Sequence, residues 1–499
     1  MSKREQTSSL MWQRLFRRFD GTSSTLQGQL RDMLVHAVLE GFLVPGAATP
    51  SSRALAASLK LSRTTVTLAL QSLADNGYLV PRARSGYYVS PEIQSTYLGA
   101  RQRAAEPAQA PRAAWSKRLH LTPSAQRNIA KPADWQKQPF PFIYGQFDAT
   151  LFPTADWREC ALDSLHVRAI RGWAPDHIDR DQEGLVDQVH QRLLPARGIW
   201  AERDEILITA GAQNATFMLA QVLVGARTTV GVENPGYPDA RNNFALRTRR
   251  VLPLAVDAQG LVVGEALARC QVVYVTPSHQ CPTTVTMPLE RRQALLERAR
   301  AHDFVIIEDD HESELNFSGK PTPALKSLDT SSHVIYVGSL SKTLAHGLRI
   351  GYVVAPAELI RELRALRRLM LRHPPTNNGH CAAEFIAHGF HEAYVRRLNV
   401  AYSERARALQ DALRRHAPGL RFTEARGGSA LWVQAPRGVD TRELASRALA
   451  QGIVIEPGEV FFAGSRPPRN FVRLGYSSIP TERIDEGVRR LAGMLAATR

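Results

Sequence analysis

Four short apolar runs, each stopping at polar residues, constrain the fold of this 499-residue chain more than anything else in it. They read EILIT (205–209), VVYVT (272–276), FVIIED (304–309) and VIYVGS (334–339), with helical stretches between them. Short β-branched and aliphatic runs without polar alternation are strands covered on both faces, as in a parallel sheet flanked by helices. The expected class for this part of the chain is therefore α/β. In an open sheet of that kind the ligand sits beyond the carboxyl ends of the strands. At those ends the chain places AGAQNA, PSHQCPTT, the carboxylates Glu308, Asp309 and Asp310, and SLSKTLAHGLR.

Lys342 is the centre of the last of these. A lysine in a small-residue turn just past a buried strand solvates its ammonium poorly, so its pKa falls and its amine can add to a carbonyl. Ser339, Ser341 and Arg349 supply two hydroxyls and a fixed cation of the sort that holds a phosphate. Gly211, Ala212 and Gln213 open a helix whose free N–H groups suit the same anion. An aldehyde that also bears a phosphate is implied. A pyridine cofactor acts as an electron sink only while its ring nitrogen stays protonated, which needs a buried carboxylate nearby. Asp309 is the candidate, with Asp310 and Glu308 as alternatives. Tyr237, in ENPGYP, offers a flat face for the ring. Ser339 to Lys342 also fits the S-x-x-K of penicillin-binding enzymes, but the chain contains neither SDN nor KTG to support that rival.

The front of the chain has a different character. Residues 1–135 hold 18 Lys and Arg against 8 Asp and Glu, a net +10 out of the chain's +16. A basic front end points to a polyanion, nucleic acid before membrane. In MWQRLFRRFD, Trp12, Leu15, Phe16 and Phe19 fall at helical spacing, which suits a short basic amphipathic helix docked on its own protein. From Thr25, Leu26, Leu30, Met33, Leu34, Ala37 and Val38 recur at three and four, and serine caps introduce RALAASL and RTTVTLALQSLAD. Two β-like runs, 78–80 and 87–89, follow Gly77. Three helices and a β-ribbon over residues 25–90 make a winged helix-turn-helix, after an N-terminal extension of residues 1–24.

A short capped third helix can set its first side chains against base edges in a major groove, so Arg63, Thr64 and Thr65 are the expected readers. Ser52, Arg53 and Ser62 are placed for phosphates, which fix register. The wing turn with Arg82, Arg84 and Gly86 reaches toward an adjacent backbone or minor groove. Residues 91–135 lose periodicity and fill with Ala, Pro, Arg and Gln, as expected of a flexible linker. No long apolar run and no N-terminal apolar core of a leader are present, and the four cysteines are scattered, so a cytoplasmic, membrane-free, reduced protein without a metal site is expected.

The segment PGAATPSSRALAASLKLSRTTVTLALQSLADNGYLV, followed by SGYYV, resembles the GntR family of bacterial regulators. The body, residues 136–499, resembles a fold-type I aminotransferase through TAGAQNA, ENPGYPDAR, TPSHQCP, IIEDDHESE, GSLSKTLAHGLRIGY and NFVRLGY. Together they resemble the MocR subfamily of transcriptional regulators. That resemblance implies pyridoxal 5′-phosphate as cofactor, held as a Schiff base on Lys342, with Asp309 on the ring nitrogen and His279 and Gln280 near the ring oxygen. It implies operator DNA as partner, an amine or amino-acid effector sensed by aldimine exchange, and a head-to-tail homodimer on two half-sites. By similarity an effector carboxylate meets Arg473 first and Arg241 second.

Three departures stand out. His311 occupies a tyrosine position expected to donate to the ring oxygen; Pro282, Thr283 and Thr284 stand for Pro-Thr-Gly; and RDQEG, residues 180–184, replaces an Asp-Pro turn. They bear on catalytic competence more than on cofactor binding. Two other readings keep the same fold: a working aminotransferase with an accessory head, with transaminase turnover retained, and a regulator whose body has lost the cofactor.

Overall fold

The computed structural model describes residues 11–20, 23, 25–83, 85–93, 114–146, 148–317 and 322–496. The chain divides into two compact units, Met1–Leu119 and His120–Arg499.

In the first unit a helix over residues 11–17 (α1) precedes α2 (Leu26–Leu39), α3 (Ser52–Leu59) and α4 (Arg63–Asp75). An antiparallel ribbon of β1 (Leu79–Arg82) and β2 (Gly86–Val89) follows. Leu30, Met33 and Leu34 of α2 pack on Leu55 and Leu59 of α3 and on Val66, Leu70 and Leu73 of α4. Trp12 and Leu15 enter the same core, so over residues 11–20 the N-terminal extension is part of this fold. Each fully buried aliphatic of this kind contributes about 1.5–3 kcal/mol. Ser51 and Ser62 cap α3 and α4, accepting from Ala54 N–H at 3.1 Å and Thr65 N–H at 3.0 Å. Gly77, at φ +75°, ends the α4 region in the left-handed conformation while Tyr78 N–H reaches back to Leu73 O at 2.9 Å.

In the second unit the four apolar runs become β3 (Ile206–Thr209), β7 (Val272–Val275), β8 (Val305–Asp309) and β9 (Val334–Ser339). With β4 (Val230–Asn234), β5 (Val251–Asp257), β6 (Gly260–Leu261) and β10 (Gly351–Val354) they form one eight-stranded sheet in the order β3-β10-β9-β8-β7-β4-β5-β6. Strands β9, β8, β7, β4 and β5 are parallel neighbours. The sheet is nevertheless mixed, because β10 runs antiparallel to both β9 and β3, and β6 is an antiparallel edge. A parallel crossover needs roughly a dozen residues or more. The connection of residues 340–350 is shorter, so the chain returns antiparallel and the Lys342 turn becomes a tight link between two buried strands.

A second, antiparallel sheet contains β11 (Arg421–Phe422), β12 (Ala430–Gln434), β14 (Phe471–Gly475) and β13 (Glu456–Pro457), in that order. Helix α5 (Ala212–Leu223) starts at the end of β3, and α6 (Pro238–Ala245) follows β4.

The expected linker of residues 91–135 ends earlier than its composition suggests. From His120 the chain belongs to the second unit, and polar groups without periodicity are what tie it down. Arg127 Nη2 donates to Phe462 O at 3.1 Å and Gly464 O at 2.6 Å, Asn242 Nδ2 to Arg127 O at 3.0 Å, and Lys131 Nζ to Tyr144 O at 2.8 Å. Among the described residues no helix is long and apolar enough to cross a membrane, and no side-chain cluster suits a metal ion. All four cysteines are free and buried.

Candidate cofactor site and nucleic-acid interface

Beyond the carboxyl ends of β3, β8 and β9 lies a cavity of about 280 Å³. Lys342 reaches it from the turn after β9, its Nζ 4.3 Å above the centre of the Tyr144 ring. Gly145 makes room: a Cβ there would come within 2.5 Å of Lys342 Nζ, and its φ of +58° also favours glycine. Burial lowers the Lys342 pKa, Arg473 pushes the same way and Glu312 opposes. The side chain therefore holds a proton less tightly than an ordinary lysine.

The three consecutive carboxylates at the end of β8 separate by the two-residue period of a strand. Glu308 accepts from the backbone N–H groups of Leu325 (2.7 Å) and Lys326 (2.8 Å), and Asp310 from Arg197 Nε (2.8 Å) and Tyr336 Oη (2.7 Å). Both are engaged away from the cavity. Asp309 lines it: one carboxylate oxygen accepts from Tyr274 Oη at 2.5 Å, and the other, Oδ1, is buried without a hydrogen-bond partner. His311 lines the cavity too, with Nδ1 3.7 Å from Asp309 Oδ1. Burial works against the charged imidazole, but the Asp309 carboxylate outweighs it and the His311 pKa lies above the ordinary value.

At the opposite end Ala212 and Gln213 begin α5 with no side-chain cap, after Gly211 at φ +83°. Arg349, itself at φ +54°, donates to Ala210 O at 3.2 Å and lies so close to Gly211 that a Cβ there would meet Nη2 at 3.0 Å. Ser339 and Ser341 line the same side, with Ser341 N–H 3.3 Å from Ser339 Oγ. Open helix N–H groups, two hydroxyls and an arginine converge there, which suits a phosphate. The Tyr237 hydroxyl is 2.9 Å from Gln213 Oε1 and 3.1 Å from Asp239 Oδ2, fixing the ring in the wall.

Four expected residues do not line the cavity: Gly211, which only leads into the α5 turn that does, and three whose side chains are engaged elsewhere. His279 is buried against Gly427, where a Cβ would come within 2.5 Å of its Nε2, and burial pushes its pKa down to about 4. Gln280 Nε2 donates to Glu233 Oε2 (3.1 Å) and Pro235 O (2.9 Å), and Arg241 donates to Val460 O (2.9 Å). Arg473 does line it. Only 1% exposed, Arg473 donates from Nε to Glu456 Oε2 at 2.9 Å, lies 4.0 Å over the Tyr144 ring, and leaves Nη2 unpaired.

The departures have visible consequences. Thr284 occupies the expected glycine position at φ +63°, where a β-branched residue is strained. Asp181 of RDQEG pairs with Arg364 and Arg367 and accepts from Ile208 N–H, so that turn anchors β3.

Lys131, Tyr144, Gly145, Gln146, Cys281 and His346 line or shape the cavity and were not among the expected residues. For His346 the signal lay beside Lys342 in SLSKTLAHGLR. Its Nε2 is buried and unpaired, and burial together with Lys342 and Lys131 lowers its pKa to about 3, so the ring is neutral.

In the first unit Arg63 and Thr64 are exposed at the start of α4, and Thr65 is half-buried. The Ser62 and Thr65 hydroxyls are 2.8 Å apart, so Ser62, expected at a phosphate, is engaged in capping. Arg53 is exposed and Ser52 half-buried at the first turn of α3. On the wing Arg82 lies 4.1 Å over the Tyr88 ring, and Gly86 turns at φ +102°. Arg84 lies outside the described residues.

A winged helix-turn-helix with an exposed reading turn, together with a fold-type I body presenting lysine, aspartate and arginine around one cavity, defines a DNA-binding protein built on an aminotransferase scaffold. Residues 26–89 match the gntR family of bacterial regulatory proteins, and residues 183–491 match class I and II aminotransferases. The chain is 43% identical to the HTH-type transcriptional regulator TauR of Rhodobacter capsulatus over 95% of its length and 97% of that protein's. It is 29% identical to the probable rhizopine catabolism regulatory protein MocR of Rhizobium meliloti, over 94% and 93%. Among solved structures, LysN, the α-aminoadipate aminotransferase of Thermus thermophilus complexed with N-(5′-phosphopyridoxyl)-L-leucine, superposes with a TM-score of 0.71 at 29% identity, covering 77% of this chain and 99% of that one. This chain belongs to the MocR-type regulators, GntR-family DNA-binding heads joined to class I and II aminotransferase bodies. The cofactor implied by that family is pyridoxal 5′-phosphate.

Proposed function

We propose that the chain is a cytoplasmic transcriptional regulator that reads operator DNA with the first turn of α4 and senses a small amine or amino acid at Lys342. The residues present fit the cofactor. Asp309 Oδ1, a buried carboxylate oxygen that accepts no hydrogen bond and has His311 Nδ1 only at 3.7 Å, carries the reading, because a protonated ring nitrogen is the donor it lacks. The N-terminus of α5, Ser339, Ser341 and Arg349 would hold the phosphate, Tyr237 would stack on the ring, and Lys342 would bond to the carbonyl carbon. When bound, the cofactor supplies an electrophilic carbon and an electron-withdrawing ring.

The chain's own groups do the rest. Burial leaves the Lys342 amine readier to release its proton than an ordinary lysine, which suits it to bond to the cofactor's carbonyl carbon and to give way to an incoming amine. Asp309 keeps the proton on the ring nitrogen, and Tyr274 holds Asp309 in place. His311 lies beside Asp309 and offers an imidazole N–H where a phenol is usual. Arg63, Thr64 and Thr65 would read bases while Arg53 meets phosphates, and two heads in a head-to-tail homodimer would engage two half-sites.

Reconstituted protein should show a visible absorption band that shifts with amines and disappears in Lys342→Ala; a colourless reconstituted wild type rejects the reading. Amino transfer from a panel of donors to a keto acid should be near zero. Brisk turnover would reassign the chain as an enzyme with an accessory head.

A further inference from the structure

His346 Nε2 is buried without a hydrogen-bond partner, on a ring that lines the cavity from the short turn His346–Leu348. Gly145 brings it together with Lys342. A Cβ there would meet Lys342 Nζ at 2.5 Å and His346 Nε2 at 3.7 Å, so both nitrogens border the space that the missing side chain leaves. A nitrogen arriving beside Nζ thus arrives beside Nε2. The other groups of the wall that could accept a proton are committed. His311 lies against Asp309, Asp309 is held by Tyr274 and faces the expected ring nitrogen, and Asp239 accepts from the Tyr237 hydroxyl.

Burial and the cations Lys342, Lys131 and Arg349 lower the His346 pKa to about 3, so the ring is neutral and carries one N–H and one lone pair. With Lys342 Nζ on the Nε2 side, the lone pair belongs on Nε2 and the N–H on Nδ1. Two of the three cations are those a bound cofactor engages, Arg349 through its phosphate and Lys342 by trading its ammonium for a bond to carbon. Loading therefore relieves much of the charge that keeps a proton off Nε2, and the base strengthens at the stage that needs one.

A primary amine is an ammonium at neutral pH and has no lone pair to add to a carbon until it sheds a proton. We propose that His346 Nε2 takes that proton and is the general base of the amine exchange at Lys342. Of the three protons on the incoming ammonium, the first passes to Nε2. The bonds from the carbon to Nζ are then replaced by bonds to the incoming nitrogen, and the electron pairs of the broken bonds return to Nζ. The two protons left on the incoming nitrogen and the one held on Nε2 end on Nζ, so Lys342 leaves as an ammonium and His346 is neutral again. This rests on the amine-sensing reading of Lys342 and names the group that makes the exchange fast.

The test mixes the full chain, loaded with pyridoxal phosphate, with methylamine and times the change in visible absorption. His346→Gln should slow the approach about 100-fold or more and slow the return on dilution by the same factor, because a base speeds both directions alike. The methylamine midpoint at equilibrium should stay within about twofold. Methoxyamine, uncharged at neutral pH, needs no first deprotonation, and its reaction should slow far less. An unchanged methylamine rate, a weakened midpoint that accounts for the slowing, or equal slowing of both probes overturns the proposal. In the cofactor-free wild type, nitrogen NMR of ring-labelled histidine should show His346 Nε2 without a proton at neutral pH; a proton on Nε2 also overturns it. A loaded wild type with no visible response to any amine defeats the sensing reading instead, and the ring measurement then still decides whether Nε2 is an acceptor.

Discussion

The two functional surfaces of this protein are prepared in opposite ways. In the body the polar side chains around the cavity are already held: Asp309 by Tyr274, Tyr237 beside Gln213, Arg473 by Glu456 and Arg349 by the Ala210 carbonyl. In the head the expected readers Arg63 and Thr64 stand exposed, and what is held is the backbone beneath them, through the Ser62 cap. A small ligand offers few contacts, so its site must have orientation and desolvation settled before binding. A polyanion offers many contacts and can order long side chains as it binds. Changes in the body should therefore act through cofactor and folding, and changes in the head through DNA affinity.

The largest expected effect is Lys342→Ala, which should abolish the visible band entirely while leaving the affinity of the head for its operator intact in a gel-shift titration. A parallel loss of DNA affinity would break the separation. Next is Arg473→Met. It leaves buried Glu456 with the Tyr144 N–H and, 3.6 Å away, Lys131, and removing one partner of a buried ion pair costs about 3–5 kcal/mol. Calorimetry should show the melting transition of the body lowered and that of the head unmoved. Arg63→Ala should cost about 1–3 kcal/mol on the cognate operator and far less on random DNA, and equal loss on both would make Arg63 a phosphate contact. Smallest is Ser62→Ala. Loss of the α4 cap should destabilise the head by about 1 kcal/mol, read as a lower head Tm, without changing the cofactor spectrum.

The four apolar runs, the Lys342 turn and the serine caps were legible because each is a local pattern with a local cause. The choice among Glu308, Asp309 and Asp310 was not, since the order of carboxylates does not say which face of β8 turns to the cavity; hydrogen bonds from Leu325, Lys326 and Arg197 decide it. His279, Gln280 and Arg241 sit in motifs next to the site, yet their side chains leave toward Gly427, Glu233 and Val460. Tyr144, Gly145 and Lys131 meet Lys342 only through long-range packing, and no spacing in their own segments announces it. The antiparallel return of β10 was not among the expectations, which took the apolar runs for strands of a parallel sheet; the length of a connection limits topology in a way that the runs alone do not.

The docked stretch after residue 119 bears on where the protein can be cut. A body excised at residue 136, where the α/β composition begins, would discard Arg127 with its anchors at Phe462 and Gly464, and Lys131 with its hold on Tyr144. It would keep Lys342 and Asp309 and so could still take up colour. An excision at His120 keeps all four residues. Two fragments differing by sixteen residues would thus share the cofactor lysine and aspartate and yet differ in the wall of the cavity, where the shorter lacks Ile129 and Lys131.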